Sequence, residues 1–181
     1  MLTSLAALGI AVEGAEEAGA TTELLDIKQL SLPMYDPADT HPPHSVLKMC
    51  DRIHAAAGLI WSSPMYKGTI TGSFKNALDW LKLLGDRSMA GGALGLQGVN
   101  TMEFVVRALR GWSVPLVMPI AQAWKAFDEY GIPQDSQLTE QLHAVGREVT
   151  RGSWLEPPTE EDAARAEAEI GPLSDGEAKS S

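Results

Sequence analysis

The chain has 181 residues, 44% of them hydrophobic, which is enough for one domain with a single buried core. Its net charge of -10 and its lack of Lys and Arg clusters disfavour nucleic acid as a partner. No apolar run is long enough to span a membrane, and the start lacks the basic segment of a secretory signal. We therefore expect a soluble, cytoplasmic protein without membrane partners.

Cysteine and histidine usage gives little sign of redox or metal chemistry. The single cysteine, Cys50, permits no internal disulfide and lies in an apolar helical stretch, which predicts a buried, unreactive thiol. Of the four histidines, His41 and His44 lie in a proline-rich loop rather than on one helix face. We predict no metal site.

The first third of the chain predicts a helix, a strand, a loop and a second helix. Residues 2–18 carry apolar side chains at helical spacing and end at Gly19, a residue suited to the left-handed turn after a helix. Residues 21–27, TTELLDI, are typical of a short strand, and the prolines that follow predict a loop. A second helix is expected over residues 45–56.

The middle of the chain alternates strand and helix patterns. Residues 57–62, AGLIWS, form a continuous apolar run, as in a central parallel strand covered on both faces. Residues 72–84 have helical spacing, with an apolar face wider than a single contact with a sheet requires. A glycine-rich stretch, residues 91–98, and a helix over residues 100–110 follow.

The last third predicts an edge strand, a helix and a tail. Residues 112–118, WSVPLVM, are placed at an edge because Pro115 cannot donate a ladder hydrogen bond. A final amphipathic helix covers residues 137–152. We take residues 1–155 as the domain and residues 156–181, with eight acids and two bases, as an acidic, disordered tail. Three tryptophans are interpreted as core or interface anchors: Trp112, Trp124 and Trp154.

This alternation predicts an α/β fold with a doubly wound parallel sheet and a ligand site at the carboxyl ends of the strands. The loop SSPMYKGTITGS follows the apolar run 57–62 at that end. Tyr66 offers an aromatic face, while Gly68 and Gly72 let backbone amides approach a flat ligand. The alternative is that these residues only turn a strand into a helix.

Residues 61–80, WSSPMYKGTITGSFKNALDW, resemble the flavin-contacting loop and following helix of NADPH-dependent FMN reductases. The sequences at residues 16–37 and 99–131 are also similar to that family, so the resemblance covers roughly residues 1–152. The resemblance implies a flavodoxin-like fold with FMN and NADPH as cofactors. It also implies hydride transfer from NADPH through FMN to a small-molecule electron acceptor such as flavin, quinone or azo compound, with the cofactor supplying the redox chemistry.

The resemblance also implies roles for individual residues. It assigns FMN binding to a loop made of Pro64, Met65, Tyr66, Lys67 and Gly68. It assigns the loop beside the flavin pyrimidine ring to a segment containing Gly95, Gln97 and Gly98. It further implies a homodimer or homotetramer formed through the helix at residues 72–84, whose alternative is contact with the chain's own loops.

The chain departs from the family pattern at two places. Family members begin with an apolar strand and a phosphate-binding loop similar to G-S-x-R-x-x-S, to which only Thr3 and Ser4 correspond. We therefore expect the first strand to be missing and the fourth strand, before the segment 91–98, to be shortened. Two other functions stay open: a cofactor-free dimeric interaction protein or truncated inactive form, and a flavodoxin-like electron carrier.

Overall fold

The computed structural model describes residues 3–81, 90–93, 96–109 and 111–153. The helices are α1 (Thr3–Glu17), α2 (Ile27–Leu30), α3 (His44–Ala55), α4 (Gly72–Trp80), α5 (Leu96–Ala108), α6 (Ala123–Ala126) and α7 (Ser136–Ser153). The strands are β1 (Leu59–Trp61), β2 (Met65–Tyr66), β3 (Thr69–Ile70), β4 (Ala90–Ala93) and β5 (Trp112–Ser113). The predicted tail, residues 156–181, lies outside the described residues.

Strands β1, β4 and β5 form a parallel sheet in that order. Leu59 pairs with Gly91, and Ala90 pairs with Trp112. The helices form two separate apolar clusters, one around α1 and α7 and one around α3, α4 and α5, as expected for helices on two faces of one sheet. The predicted α/β parallel architecture is confirmed.

Two strand predictions at the start of the sheet are wrong. Residues 21–26 form no strand, and Ile27 begins α2. Residues 57–62 were expected to form a central strand, but β1 has one strand neighbour among the described residues and so lies at the edge of the sheet. Residues 21–26 and β1 both line one wide cleft and do not pair with each other.

The glycine-rich stretch, residues 91–98, contributes to both a strand and a helix. Its first residues belong to β4, which lies between β1 and β5 and is four residues long. Ala and Gly have low strand propensity, but ladder hydrogen bonds on both edges can hold them in a strand. Helix α5 begins at Leu96 rather than near residue 100. The edge position of β5 is confirmed, although this strand ends at Ser113, before Pro115.

Helices α1 and α7 pack against each other at short distance. Helix α7 buries the predicted face, Leu138, Leu142, Val145 and Val149. Helix α1 instead buries its small residues: Ala6, Ala7, Ala11, Gly14 and Ala15. A Cβ atom on Gly146 would lie 1.9 Å from the Ala11 carbonyl oxygen. The leucines of α1 were expected to form its core face, but they are only half-buried because α7 needs small partners.

The wide apolar face of α4 packs within the chain itself. Five of its residues are buried: Phe74, Ala77, Leu78, Trp80 and the following Leu81. The ring of Trp80 meets the ring of Tyr35 edge-on at 5.0 Å, and the ring of Phe74 meets that of Trp61 at 6.0 Å. Contact with the chain's own segments therefore accounts for this face. The predicted oligomer remains untested.

Asn76, on the buried side of α4, fastens the loop before α3. Its Oδ1 accepts a hydrogen bond from Tyr35 N at 2.7 Å, and its Nδ2 donates to the Pro33 carbonyl oxygen at 2.8 Å. Asn76→Ala removes both of these part-buried hydrogen bonds, although Trp80 Nε1 still donates to the Pro33 carbonyl oxygen at 3.1 Å. We expect the free energy of unfolding to fall by roughly 2 kcal/mol. Urea titration followed by circular dichroism measures this, and Asn100→Ala, on the exposed face of α5, should change it little.

Two predictions about single side chains have different outcomes. Trp112 and Trp124 are 48% and 74% exposed, so neither is a core residue. Their interface alternative stays a prediction, and Trp154 lies outside the described residues. Cys50 is buried, as predicted, and desolvation raises the pKa of its thiol. A thiol held neutral is a poor nucleophile, in agreement with an unreactive cysteine.

Candidate functional site

The polar loop after β1 lies at the carboxyl end of that strand, as predicted, and is closed by side-chain hydrogen bonds. Ser62 Oγ donates to the Ser4 carbonyl oxygen at 2.8 Å and so joins the loop to the first turn of α1. Ser63 Oγ donates to the Pro64 carbonyl oxygen at 3.0 Å and accepts from Thr71 N at 3.2 Å. The two ends of the loop are therefore held together.

Thr71 also begins α4. Its hydroxyl oxygen accepts a hydrogen bond from Phe74 N at 3.2 Å, which caps the helix, and it lies 3.2 Å from Ser73 Oγ. Five residues with hydroxyl side chains thus line one end of a single cleft, and we call them the hydroxyl cluster: Ser4, Ser62, Ser63, Thr71 and Ser73. Hydroxyl groups and the free amides of helix first turns suit an anionic group.

Between Pro64 and Thr71 the chain forms a hairpin of β2 and β3. Lys67 and Gly68 make its two-residue turn, and both have positive φ, 53° and 92°, as a type I′ turn requires. Ile70 is buried and anchors the hairpin to the core. The hydroxyl of Thr69 lies 2.9 Å from that of Thr101, which joins the hairpin to α5. The hairpin is therefore anchored through both residues of β3.

The structure brings the first group of predicted site residues together. Pro64 is half-buried, and the hairpin presents Met65 and Tyr66, which are 54% and 60% exposed. The hairpin turn by itself accounts for the positive φ of Gly68, in agreement with the alternative that this residue has only a structural role. A Cβ atom on Gly68 or Gly72 would meet nothing within 4 Å. The space above both glycines is open to a ligand.

The second group of predicted site residues is only partly described. Gly95 lies outside the described residues. Gln97 and Gly98 lie in the first turn of α5, so the prediction that they form a loop is wrong. Thr101 follows Gln97 by about one helical turn and contacts β3 through Thr69. The start of α5 is therefore a neighbour of the hairpin.

The cleft has a volume of about 1110 Å³. From the hydroxyl cluster it extends between α1, residues 21–26 and β1, where apolar side chains alternate with polar ones such as Thr21, Thr22 and Glu23. An ion pair between Arg52 of α3 and Glu23 lies at its rim, and the hydrogen bond from Arg52 lowers the pKa of the Glu23 carboxyl. Ligand pockets for drug-sized molecules measure about 300–1000 Å³. The cleft is large enough for a cofactor.

The chemistry available in residues 61–73 is limited. Tyr66 and Lys67 are the titratable residues in this stretch. No group of three or more His, Cys, Asp or Glu side chains that could hold a metal occurs within residues 3–81, 90–93, 96–109 and 111–153. A site with hydroxyls, an exposed aromatic ring and open glycines can bind and orient a flat anionic cofactor.

The hydroxyl cluster was not predicted from the sequence. The sequence does concentrate hydroxyl residues in this segment, since four of the five members lie within the thirteen residues WSSPMYKGTITGS. Serine and threonine are common in turns for conformational reasons alone, so their number in a loop does not show that they face one cleft. The fifth member, Ser4, is brought in by the packing of α1.

A parallel α/β sheet with a ligand-sized cleft at the carboxyl end of a strand defines a flavodoxin-like protein. The family model of the NADPH-dependent FMN reductases matches residues 3–128. This match covers more than half of the chain, which therefore belongs to that family. No helix of the described segments is both long and apolar enough to cross a membrane.

Curated relatives support the same family. The chain is 28% identical over 155 residues to the NADPH-dependent FMN reductase ArsH of Shigella flexneri, covering 79% of this chain and 60% of that protein. It is 31% identical over 149 residues to an NAD(P)H-dependent FMN reductase of Pseudomonas aeruginosa, covering 74% and 80% respectively. The chain thus spans about 60% of the length of the ArsH relatives.

Two solved structures share the fold at low sequence identity. FerB of Paracoccus denitrificans, a flavoenzyme NAD(P)H:(acceptor) oxidoreductase, has a TM-score of 0.54 and 21% identity, over 83% of this chain and 91% of FerB. RosB, solved with bound 8-demethyl-8-formylriboflavin-5'-phosphate, has a TM-score of 0.67 and 13% identity, over 95% of this chain and 82% of RosB. At this identity the similarity establishes the flavodoxin-like fold.

Proposed function

We propose that this chain binds FMN at the hydroxyl-lined end of the cleft and acts as an NAD(P)H-dependent FMN reductase. The observation that carries the proposal is the exposed hairpin containing Tyr66, fixed beside the hydroxyl cluster at the carboxyl end of β1. Membership of the family and the names of the relatives support the same activity.

The residues present suit the two chemically different ends of FMN. The hydroxyl cluster, with the amides of the first turn of α4, would hold the phosphate through neutral hydrogen bonds. The hairpin residues Pro64 to Gly68 would lie along the ring edge, where Tyr66 gives an aromatic face. Gln97 and Gly98, at the start of α5, would complete the site together with Gly95. When bound, FMN would supply the hydride chemistry, and the protein would supply position and electrostatics.

Substrate access follows from the exposure of the hairpin. Met65 and Tyr66 present more than half of their surface to solvent, so NADPH and then a small acceptor could reach a flavin held beside them. The proposed acceptor is a free flavin, quinone or azo compound. We place the protein in the cytoplasm, where NADPH is available, and keep a homodimer or homotetramer as part of the proposal. Its contact would not use the buried face of α4.

Flavin binding and turnover test the proposal directly. The purified protein is titrated with FMN while flavin fluorescence is recorded, and the loaded protein is mixed with NADPH and a soluble benzoquinone. We expect saturable quenching and quinone-dependent NADPH oxidation. Riboflavin, which lacks the phosphate, should bind about tenfold more weakly, equivalent to about 1.4 kcal/mol. Failure to bind FMN would refute the proposal.

The remaining functions give different results in the same assays. A flavodoxin-like electron carrier would bind FMN but would not be reduced directly by NADPH in stopped-flow experiments. A cofactor-free dimeric interaction protein, or a truncated inactive form, would bind no FMN. Its motivation was the missing first strand and phosphate loop, with a dimer formed through α4, but the apolar face of that helix packs against the chain's own residues, including Tyr35.

A further inference from the structure

Acidic residues are missing from two segments that form most of the candidate flavin site. The chain has 24 Asp and Glu residues in 181. None of them lies in residues 52–78, which contain β1, the hairpin and most of α4, or in residues 90–102, which contain β4 and the first half of α5. These segments therefore place no negative charge beside the site. They repel an anionic ligand less than the net charge of -10 suggests.

Lys67 is the unpaired cation of the first of these segments. The two other Lys or Arg residues there are paired, Arg52 with Glu23 and Lys75 with Asp79. Lys67 forms no ion pair and no side-chain hydrogen bond with any residue that the structure describes. Its ammonium group is therefore available to a ligand.

Lys67 lies just outside the cleft. Tyr66 lines the cleft, whereas Lys67, the next residue, does not and is exposed to solvent. The hydroxyl cluster lies inside the cleft, and its neutral side chains would hold the FMN phosphate without a cation. The charge of Lys67 is thus left for a second anion, one that approaches the flavin ring from the solvent side of the hairpin.

The backbone conformation of Lys67 also favours a role for its side chain. Its φ of 53° lies in the left-handed region, which a type I′ turn requires at both central positions. Glycine and asparagine are preferred there, because other L residues adopt this conformation only with strain. Strained residues are concentrated at ligand sites. The strain at Lys67 agrees with selection for its ammonium group rather than for its backbone.

We propose that Lys67 binds a phosphate group of the nicotinamide dinucleotide when the nicotinamide ring lies beside Tyr66. The inference rests on the proposed function and adds the residue that recognises the second substrate. A lysine ammonium is a compact charge with three donors, which suits a phosphate oxygen. NADPH offers two such groups, the pyrophosphate that it shares with NADH and the 2′-phosphate that NADH lacks.

Binding of oxidised dinucleotides to the FMN-loaded protein tests this inference without turnover. NADP⁺ and NAD⁺ are titrated by calorimetry into the unmodified chain and into Lys67→Met, which removes the charge. We expect Lys67→Met to bind NADP⁺ roughly tenfold more weakly. Lys67→Arg, which keeps the charge, should stay within about threefold of the unmodified chain. A loss for NADP⁺ alone would identify the 2′-phosphate as the bound group, and an equal loss for NAD⁺ would identify the pyrophosphate.

Lys48→Met is the matched control. Lys48 is exposed on α3 and lies outside the cleft, so this variant has the same net charge as Lys67→Met but should bind NADP⁺ as the unmodified chain does. Raising NaCl from about 50 to about 500 mM should weaken NADP⁺ binding more in the unmodified chain than in Lys67→Met, because salt screens an exposed charge.

Failure of the inference and failure of the proposed function give different results. A chain that binds no FMN would refute the function and this inference with it. Unchanged NADP⁺ affinity in Lys67→Met, with FMN still bound, would overturn the inference alone. An equal loss of affinity for FMN and NADP⁺ would do the same, because Lys67 would then serve the flavin. Equal losses in Lys48→Met and Lys67→Met would show an effect of net charge and would also overturn it.

Discussion

Replacement of Gly146 by alanine is expected to lower the free energy of unfolding by about 3 kcal/mol or more. The new Cβ would lie 1.9 Å from the Ala11 carbonyl oxygen and 2.6 Å from Ala15 N. These atoms belong to the backbone of α1, so no side-chain rotation can relieve the overlap, and the two helices must move apart. A loss of this size is a large part of the stability of a typical domain. Urea unfolding followed by circular dichroism measures it.

Gly9→Ala is the matched control for this prediction. Gly9 also lies in the α1–α7 pair, on α1, but a Cβ atom there would meet nothing within 4 Å. Alanine has a higher helix propensity than glycine, so Gly9→Ala should raise stability by roughly 0.5–1 kcal/mol. A loss of stability in Gly146→Ala together with a gain in Gly9→Ala would show that the distance between the two helices decides the effect of the added methyl group. Similar losses in both variants would contradict the close packing described above.

Replacement of Gly68 by alanine is expected to weaken FMN binding by about tenfold, equivalent to about 1.4 kcal/mol. Gly68 has a φ of +92° in the turn of the hairpin, a conformation that alanine adopts only with strain. A strained turn would shift the hairpin, and with it Tyr66, relative to the hydroxyl cluster. Fluorescence titration with FMN measures the loss of affinity.

Gly19→Ala separates flavin binding from general strain. Gly19 has nearly the same φ, +93°, and equally open surroundings, but it follows the end of α1. The hydroxyl cluster meets the other end of this helix, roughly 22 Å away. We expect Gly19→Ala to lose about 1 kcal/mol of stability and to keep its FMN affinity. If both variants lost the same FMN affinity, the hairpin would not be part of the flavin site.

Most helices could be predicted from the sequence. The spacing of apolar residues gave α3 and α7 within a residue or two, because an amphipathic stripe repeats over several turns. For α1 the same spacing predicted the helix but the wrong buried face. Leucines normally mark a core, and only the close approach of α7 selects the small residues Ala7, Ala11 and Gly14.

Short strands were predicted less well. Residues 21–27 have a strand-like sequence but no neighbour to pair with, whereas the sequence AGGA of β4 has poor propensity and pairs on both edges. Strand formation depends on partners that are distant in the chain. Local sequence therefore predicted a strand where the fold has none, and a strand near the position of β4 was expected, as a shortened one, only from the family resemblance.

The candidate site was predicted in part. The loop at residues 64–68 was identified by its motif, since its proline, tyrosine and glycine occur within five consecutive residues. The wide face of α4, in contrast, was interpreted as a subunit contact because the sequence does not show that Asn76 and Trp80 hold the loop at Pro33. Four of the five hydroxyl side chains are close in sequence, but neither their position in one cleft with Ser4 nor the cleft beside β1 has a local signal.

The amino-acid sequence by itself determined the family, the α/β class, the main helices and the loop that faces the carboxyl end of β1, because each depends on residues close together in the chain. Tertiary structure decided which faces are buried, which segments pair as strands, and which hydroxyls share the cleft with the hairpin. These properties depend on contacts between segments far apart in sequence, such as Ser62 with Ser4 and Gly146 with Ala11. Packing and hydrogen-bond partners, rather than local propensity, set them.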